Sequence, residues 1–125
     1  PPLPTPARCR AFGEALGDVL REQSAAKRVA VLGTGGLSHS VGTPRTGIIN
    51  QAWDQQFLRH YLAGDISPVS GWNSAEIVED AGNGASEIRN WLIACAAAGA
   101  PKSRLLAYEP VEKWKTGIAL TEMAL

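Results

Sequence analysis

The stretch GTGGLSHSVGTPRTGII, residues 33–49, constrains the chain more than any other. Glycine and threonine recur along it and Pro44 interrupts it, so neither a helix nor a strand can run its length. Regular elements must lie on either side of it. Loops this long are uncommon unless they bind or catalyse. The loop follows KRVAVLGT, residues 27–34, a β-branched and apolar run bounded by Lys27, Arg28 and glycine, which predicts a buried strand. It presents Ser38 beside His39, one of only 2 histidines.

The rest of the chain reads as alternating elements. Thr5 before Pro6 predicts a helix start, a capping hydroxyl followed by proline at the first helical position. Cys9, Phe12, Leu16, Val19 and Leu20 recur at helical spacing and predict an amphipathic helix over residues 6–23. A second helix is predicted over 50–63, with Trp53, Phe57, Leu58, Tyr61 and Leu62 as its apolar side. GDISPVSGWN breaks that pattern, and a short helix follows Asn73. ASEIRNWLIACAAA predicts the next helix: Ile88, Trp91, Leu92 and Cys95 share a face, and Gly99 with Pro101 supplies the stop. SRLLAYEPV suits a strand and TGIALTEM a closing strand. This order predicts an α/β fold, a layered α/β/α sandwich, with the loop leaving the C-terminal end of its strand, where open α/β sheets place ligands. The start, PPLPTPAR, is proline-rich without an initiator methionine, so residues 1–5 read as a linker inside a longer chain.

Composition narrows the function classes. A chain of 125 residues is long enough for one domain with a real core. Its formal net charge is +0, without basic or acidic blocks, which argues against nucleic acid and anionic membrane surfaces as partners. No apolar window is long enough for a membrane span and no signal peptide opens the chain, so a cytoplasmic location is expected. Cys9 and Cys95 are far apart and form no CxxC pair; they read as small core residues.

Three chemistries compete for the loop. A phosphate cradle is poorly supported, because no lysine follows the glycines and Ser38 takes the third glycine place of G-x-G-x-x-G. A serine nucleophile fits little better, since GLSHS has Ser40 where the nucleophile elbow needs glycine. His39 as a general acid or base is the third, because histidine titrates near neutrality and a rigid glycine loop can aim it. From the residues alone, a histidine in such a place is more often a plain loop residue. His60 reads as a solvated helix residue. Trp53, Trp91 and Trp114 read as core, Trp72 as either core or platform, and Asp54 as exposed or holding the loop through Arg45.

Taken together, the segment GTGGLSHSVGTPRTGIINQAWDQQFL resembles the class III extradiol ring-cleavage dioxygenases, in the branch of the protocatechuate 4,5-dioxygenase β subunit and the gallate dioxygenases. The resemblance rests on Gly35 to His39, Arg45 to Gly47, and Asn50 to Asp54, followed by GASEIRNWLIACAAAGA and YEPVEKWKTGIAL. It covers nearly the whole chain, with its motifs in the family's order.

The resemblance implies an iron(II) enzyme that opens a carboxylated catechol, of the protocatechuate or gallate type, with dioxygen. It implies that His39 is the acid/base and not a metal ligand, that Glu87 is the carboxylate ligand, and that Thr116 lies near the ring substituent. A glutamate in a first helical turn is also favoured simply by capping and the helix dipole. The family's two iron-binding histidines belong to an N-terminal half that has no counterpart here. Residues 1–125 therefore read as the C-terminal part of a larger catalytic domain, inactive alone. The implied partners are that N-terminal half, a small α subunit as a lid, and further copies in an oligomer. The alternative is a non-catalytic α/β subunit or aromatic-acid-binding module of the same family.

Overall fold

In the computed structural model, residues 3–23 and 27–124 are described. They form a mixed α/β unit: helix α1 (Pro6–Gln23), α2 (Gln51–Ala63), α3 (Ser67–Ser70), α4 (Ser74–Ala81) and α5 (Ile88–Ala97), then strands β1 (Ser103–Val111) and β2 (Thr116–Met123). A 3-10 turn, Asn83–Glu87, leads directly into α5. The strands pair antiparallel from Ser103 opposite Met123 to Val111 opposite Thr116, with an irregularity between Leu105 and Ala107.

Local chemistry accounts for the element boundaries. The Thr5 hydroxyl accepts the Arg8 N–H at 3.3 Å, the expected cap of α1. Asn50 caps α2 by accepting the Trp53 N–H at 3.1 Å, and Asn73 caps α4 by accepting the Ala75 N–H at 2.7 Å. Gly64 ends α2 with a left-handed φ of 71°.

The core gathers on the apolar side of α2. Phe57 stacks on Trp53 at 6.1 Å and meets the edge of Trp91 at 5.9 Å, while Tyr61 meets Trp91 at 5.2 Å. Leu37, from the glycine loop, is fully buried in the same cluster. Cys9 and Cys95 are both buried and unpaired. Trp72 joins the core edge, and half-buried His60 sets its ring edge-on to Trp72 at 6.5 Å.

Three expectations fail, and each for a physical reason. First, α1 docks on α5 through its small residues Cys9, Gly13 and Gly17, not through its large apolar ones. A β-carbon on Gly13 would lie 2.5 Å from the Ile93 carbonyl oxygen, so the two backbones nearly touch. Phe12 and Val19 consequently face solvent, 60% and 53% exposed. Second, residues 28–36 adopt no regular secondary structure, because among the described residues no strand lies alongside to pair with them. Third, Trp114 lies 67% exposed in the turn between β1 and β2, beyond the reach of the core. The linker-like reading of residues 1–5 falls partly on residues 1 and 2, which lie outside the described residues. Pro4 is fastened: its carbonyl accepts from the Arg89 guanidinium at 2.7 Å.

Candidate active site

The glycine loop is laced to the start of β2. Leu37 N–H donates to the Gly117 carbonyl at 2.8 Å, and Gly117 N–H returns a bond to the Ser38 carbonyl at 3.0 Å. His39 and Thr116 then face each other across an isolated antiparallel bridge. From the other side, His39 N–H reaches the Ala81 carbonyl at 2.9 Å, and Gly84 N–H reaches the His39 carbonyl at 3.1 Å. The residue is pinned between the end of α4 and the start of β2.

Its imidazole is pinned as well. Nδ1 lies 2.9 Å from the Leu37 carbonyl oxygen. A carbonyl only accepts, so Nδ1 carries a proton, and in the neutral form of the ring the lone pair sits on Nε2. The ring lies over Gly84, where a β-carbon would come within 2.1 Å of Nε2. Only glycine leaves room for it there.

Glu87 arrives from the opposite direction. It ends the 3-10 turn and stands at the N-cap position of α5, where a carboxylate also meets the favourable end of the helix dipole. Its Oε2 accepts the Gly36 N–H at 2.7 Å and lies 4.0 Å from His39 Nε2. The Glu87 side chain is 47% exposed and that of His39 13% exposed. Gly35 and Gly36 serve as a close-approach strip between helix and hairpin: a β-carbon on Gly35 would lie 2.6 Å from Glu87 Cβ. A β-carbon on Gly36 would lie 2.5 Å from Thr116 Oγ1 and 3.2 Å from His39 Cε1. His39, Glu87 and Thr116, the residues singled out by the resemblance, thus border one half-open surface.

Ser38 faces away from it. The residue is fully buried, and its hydroxyl accepts the Asn50 N–H at 2.8 Å. A serine so placed ties the loop to α2 and cannot reach a substrate, which disposes of the nucleophile reading.

Asp54 overturns its expectation most sharply. It is 0% exposed and makes its bonds to Ser38 and Tyr108, not to Arg45. Oδ1 accepts the Ser38 N–H at 2.7 Å and Oδ2 the Tyr108 hydroxyl at 2.8 Å. Burial raises its pKa, opposed in turn by the Ser38 N–H, the Tyr108 and Ser38 hydroxyls and the charge of His39. Burial, and then the bond to Asp54, raises the Tyr108 hydroxyl too. Arg45 instead reaches the Glu79 carbonyl.

Sequence reasoning also passed over Arg89. Buried and only 5% exposed, it bonds the Pro4 and Ser86 carbonyls and the Ser74 hydroxyl, fastening the turn that carries Glu87. Nothing in its spacing marked it, because it occupies an ordinary helical position beside the apolar face.

Residues 1–119 match the family model described as the catalytic LigB subunit of aromatic ring-opening dioxygenase. The chain belongs to this family. Among curated LigB-family relatives, the 2,3-dihydroxyphenylpropionate/2,3-dihydroxicinnamic acid 1,2-dioxygenase of Photorhabdus laumondii is 27% identical over 95% of this chain and 51% of its own length. The enzyme of that name from Mycolicibacterium paratuberculosis is 28% identical over 95% of the chain and 52% of its own. The gallate dioxygenase of Pseudomonas putida is 36% identical over 74% of the chain and 27% of its own. The chain thus spans about half the length of the first two LigB-family relatives.

Proposed function

We propose that the chain is the C-terminal part of a non-haem iron(II)-dependent extradiol dioxygenase, which opens the ring of a carboxylated catechol of the protocatechuate or gallate type with dioxygen. The observation that carries this reading is the convergence of His39 Nε2 and the half-exposed Glu87 carboxylate, 4.0 Å apart, in a LigB-family chain. The relatives named above act on dihydroxylated aromatic acids or gallate by their names, and a carboxylated catechol is the chemistry they share.

The chain's own residues fit one position of a two-histidine, one-carboxylate metal site and no more. Glu87 offers the carboxylate, and no group of three metal-ligating side chains occurs among the described residues. His60 packs edge-on against Trp72 at the margin of the core. Iron(II), when bound, would supply Lewis acidity and a common template for catechol and dioxygen. In this reading His39 takes a proton from a catechol hydroxyl at Nε2. The Leu37 carbonyl, receiving Nδ1–H, steadies the cation that forms and holds the ring's aim. Thr116, at the border of the same surface, meets the ring substituent.

The two missing histidines come, in this proposal, from an N-terminal half. The face it covers is the one where burial expected from sequence is absent: Phe12 and Val19 of α1, with Val29 and Leu32 of the unpaired run, 45% and 82% exposed. An open groove between α1, residues 29–32 and β2, lined by Leu20, Val31, Ala97, Thr121 and Met123, continues this face. A small α subunit as lid, assembly into an oligomer and a cytoplasmic location complete the reading; among the described residues no helix is long and apolar enough to cross a membrane.

The lack of a three-ligand group among the described residues favours one other reading, a binding module of the family that holds an aromatic acid without turnover. Iron analysis decides between them. Joined to a LigB-family N-terminal half, the chain should take up one iron and cleave a carboxylated catechol; alone it should take up none tightly. Stoichiometric iron on the isolated chain, or an iron-free and inert joined protein, would overturn the dioxygenase reading.

A further inference from the structure

We infer that Asp54 is a positioning residue for His39, acting through Ser38 with Tyr108 as its brace. The inference rests on the reading of His39 as the acid/base, but its evidence is the geometry behind the loop. Asp54 is fully buried in the first turn of α2, and its hydrogen bonds go to neutral donors, the Ser38 N–H and the Tyr108 hydroxyl. A buried carboxylate is costly, and one whose hydrogen bonds come from neutral donors persists where those donors must be held. Both donors belong to segments that frame His39. Ser38 is its neighbour in the chain, and Tyr108 stands on β1, which is paired to the strand that begins with Thr116.

The fit at Gly117 supports the same role. A β-carbon there would lie 2.0 Å from Asp54 Oδ2, so the carboxylate occupies the volume of the missing side chain. Gly117 in turn exchanges backbone bonds with Leu37 and Ser38. Asp54 therefore closes a ring of contacts running α2 to Ser38, Ser38 to Gly117, and β2 through β1 to Tyr108. The Leu37 carbonyl that receives His39 Nδ1–H lies in the peptide donating the Ser38 N–H to Asp54. One planar peptide unit thus meets the carboxylate on one edge and the imidazole on the other. Tilting that peptide turns the histidine.

The test needs neither metal nor catechol. In the 125-residue chain at fixed pH, 15N shifts of the His39 ring report its tautomer, and hydrogen exchange reports the Ser38 amide. Asp54→Ala should speed Ser38 exchange about tenfold or more relative to amides of α5, and shift His39 from the Nδ1–H form towards a mixture. Asp54→Asn keeps an acceptor for Ser38 and should restore most of both signals. Tyr108→Phe should give a smaller change of the same kind. If Asp54→Ala fails to fold, Tyr108→Phe decides. The inference is overturned if Tyr108→Phe, or a folded Asp54→Ala, leaves both signals at wild-type values. It is also overturned if exchange rises equally across the core while the His39 tautomer stays fixed. Because no turnover is measured, a failed ring-cleavage assay and a failed positioning role remain distinguishable.

Discussion

Two neighbouring stretches of the chain, residues 28–35 and 36–40, meet opposite fates. The first is rich in valine, leucine and alanine, yet Val29 and Leu32 lie in solvent and the run pairs with no described strand. The second is glycine, serine and histidine, yet Leu37, Ser38 and Ser40 are buried, and Leu37, Ser38 and His39 are bonded to β2, α2 and α4 respectively. Hydrophobic content alone would have ordered them the other way. The difference shows that burial follows from available partners: the polar stretch finds its donors and acceptors within this chain, while the apolar one is tied to α5 through the Thr34 and Gly35 carbonyls and leaves Val29 and Leu32 uncovered.

The largest effects should fall on the clamped stretch. In the joined protein, His39→Phe should keep metal uptake and lower ring opening by about 10²–10⁴-fold, the usual contribution of a positioned acid/base. Glu87→Ala should instead abolish metal uptake. Metal analysis with oxygen-uptake kinetics separates the two outcomes, and identical behaviour of the variants would reject the assigned roles.

The core beneath both stretches should give way in alkali. Burial pushes the Cys95 thiol up to about 11 and the Tyr61 hydroxyl up to about 12. Each group holds its proton more tightly in the folded state than in the unfolded one. The stability they contribute is thus fully present below the unfolded thiol value of 9.0 and is lost as pH rises through about 11 and then 12. The shift at Cys95 corresponds to roughly 2–3 kcal/mol. Denaturant titrations at pH 8 and pH 11 should differ by about that amount, and Cys95→Ala should flatten the dependence. The thiol should meanwhile resist disulfide reagents until the chain unfolds.

Ser38→Ala removes the acceptor of the Asn50 N–H and one donor to Asp54, and should cost about 1–3 kcal/mol. Unchanged stability by denaturant unfolding would mean that the lacing of loop to α2 is incidental.

Much of this architecture was legible in the sequence because it rests on local rules. The cap at Thr5, the helix stop at Gly99 and Pro101 and both strands appear where short-range patterns put them. His39, Glu87 and Thr116 were named from the linked motifs of a family, and the structure brings them to one surface. What stayed hidden depends on contacts between distant segments. Asp54 looks like any helix-start carboxylate until Ser38 and Tyr108 close over it. Arg89 looks like a surface residue until Pro4 folds back onto it. Phe12 and Val19 were expected inside because the helical period allows two faces, and α5 selects the face of small residues. Periodicity says that a face is apolar, not which element will cover it.

The smallest expected effect is the most telling for the exposed stretch. Leu32 is 82% exposed, so Leu32→Ser should change the stability of this chain alone by no more than about 0.5 kcal/mol. The same substitution in the joined protein should cost about 2–4 kcal/mol, the range for removing a buried leucine. A large effect in the isolated chain would mean that residues 28–35 already have a partner within it. A small effect in both would mean that the N-terminal half docks elsewhere, and the contrast between the two stretches would then reflect only where water happens to reach.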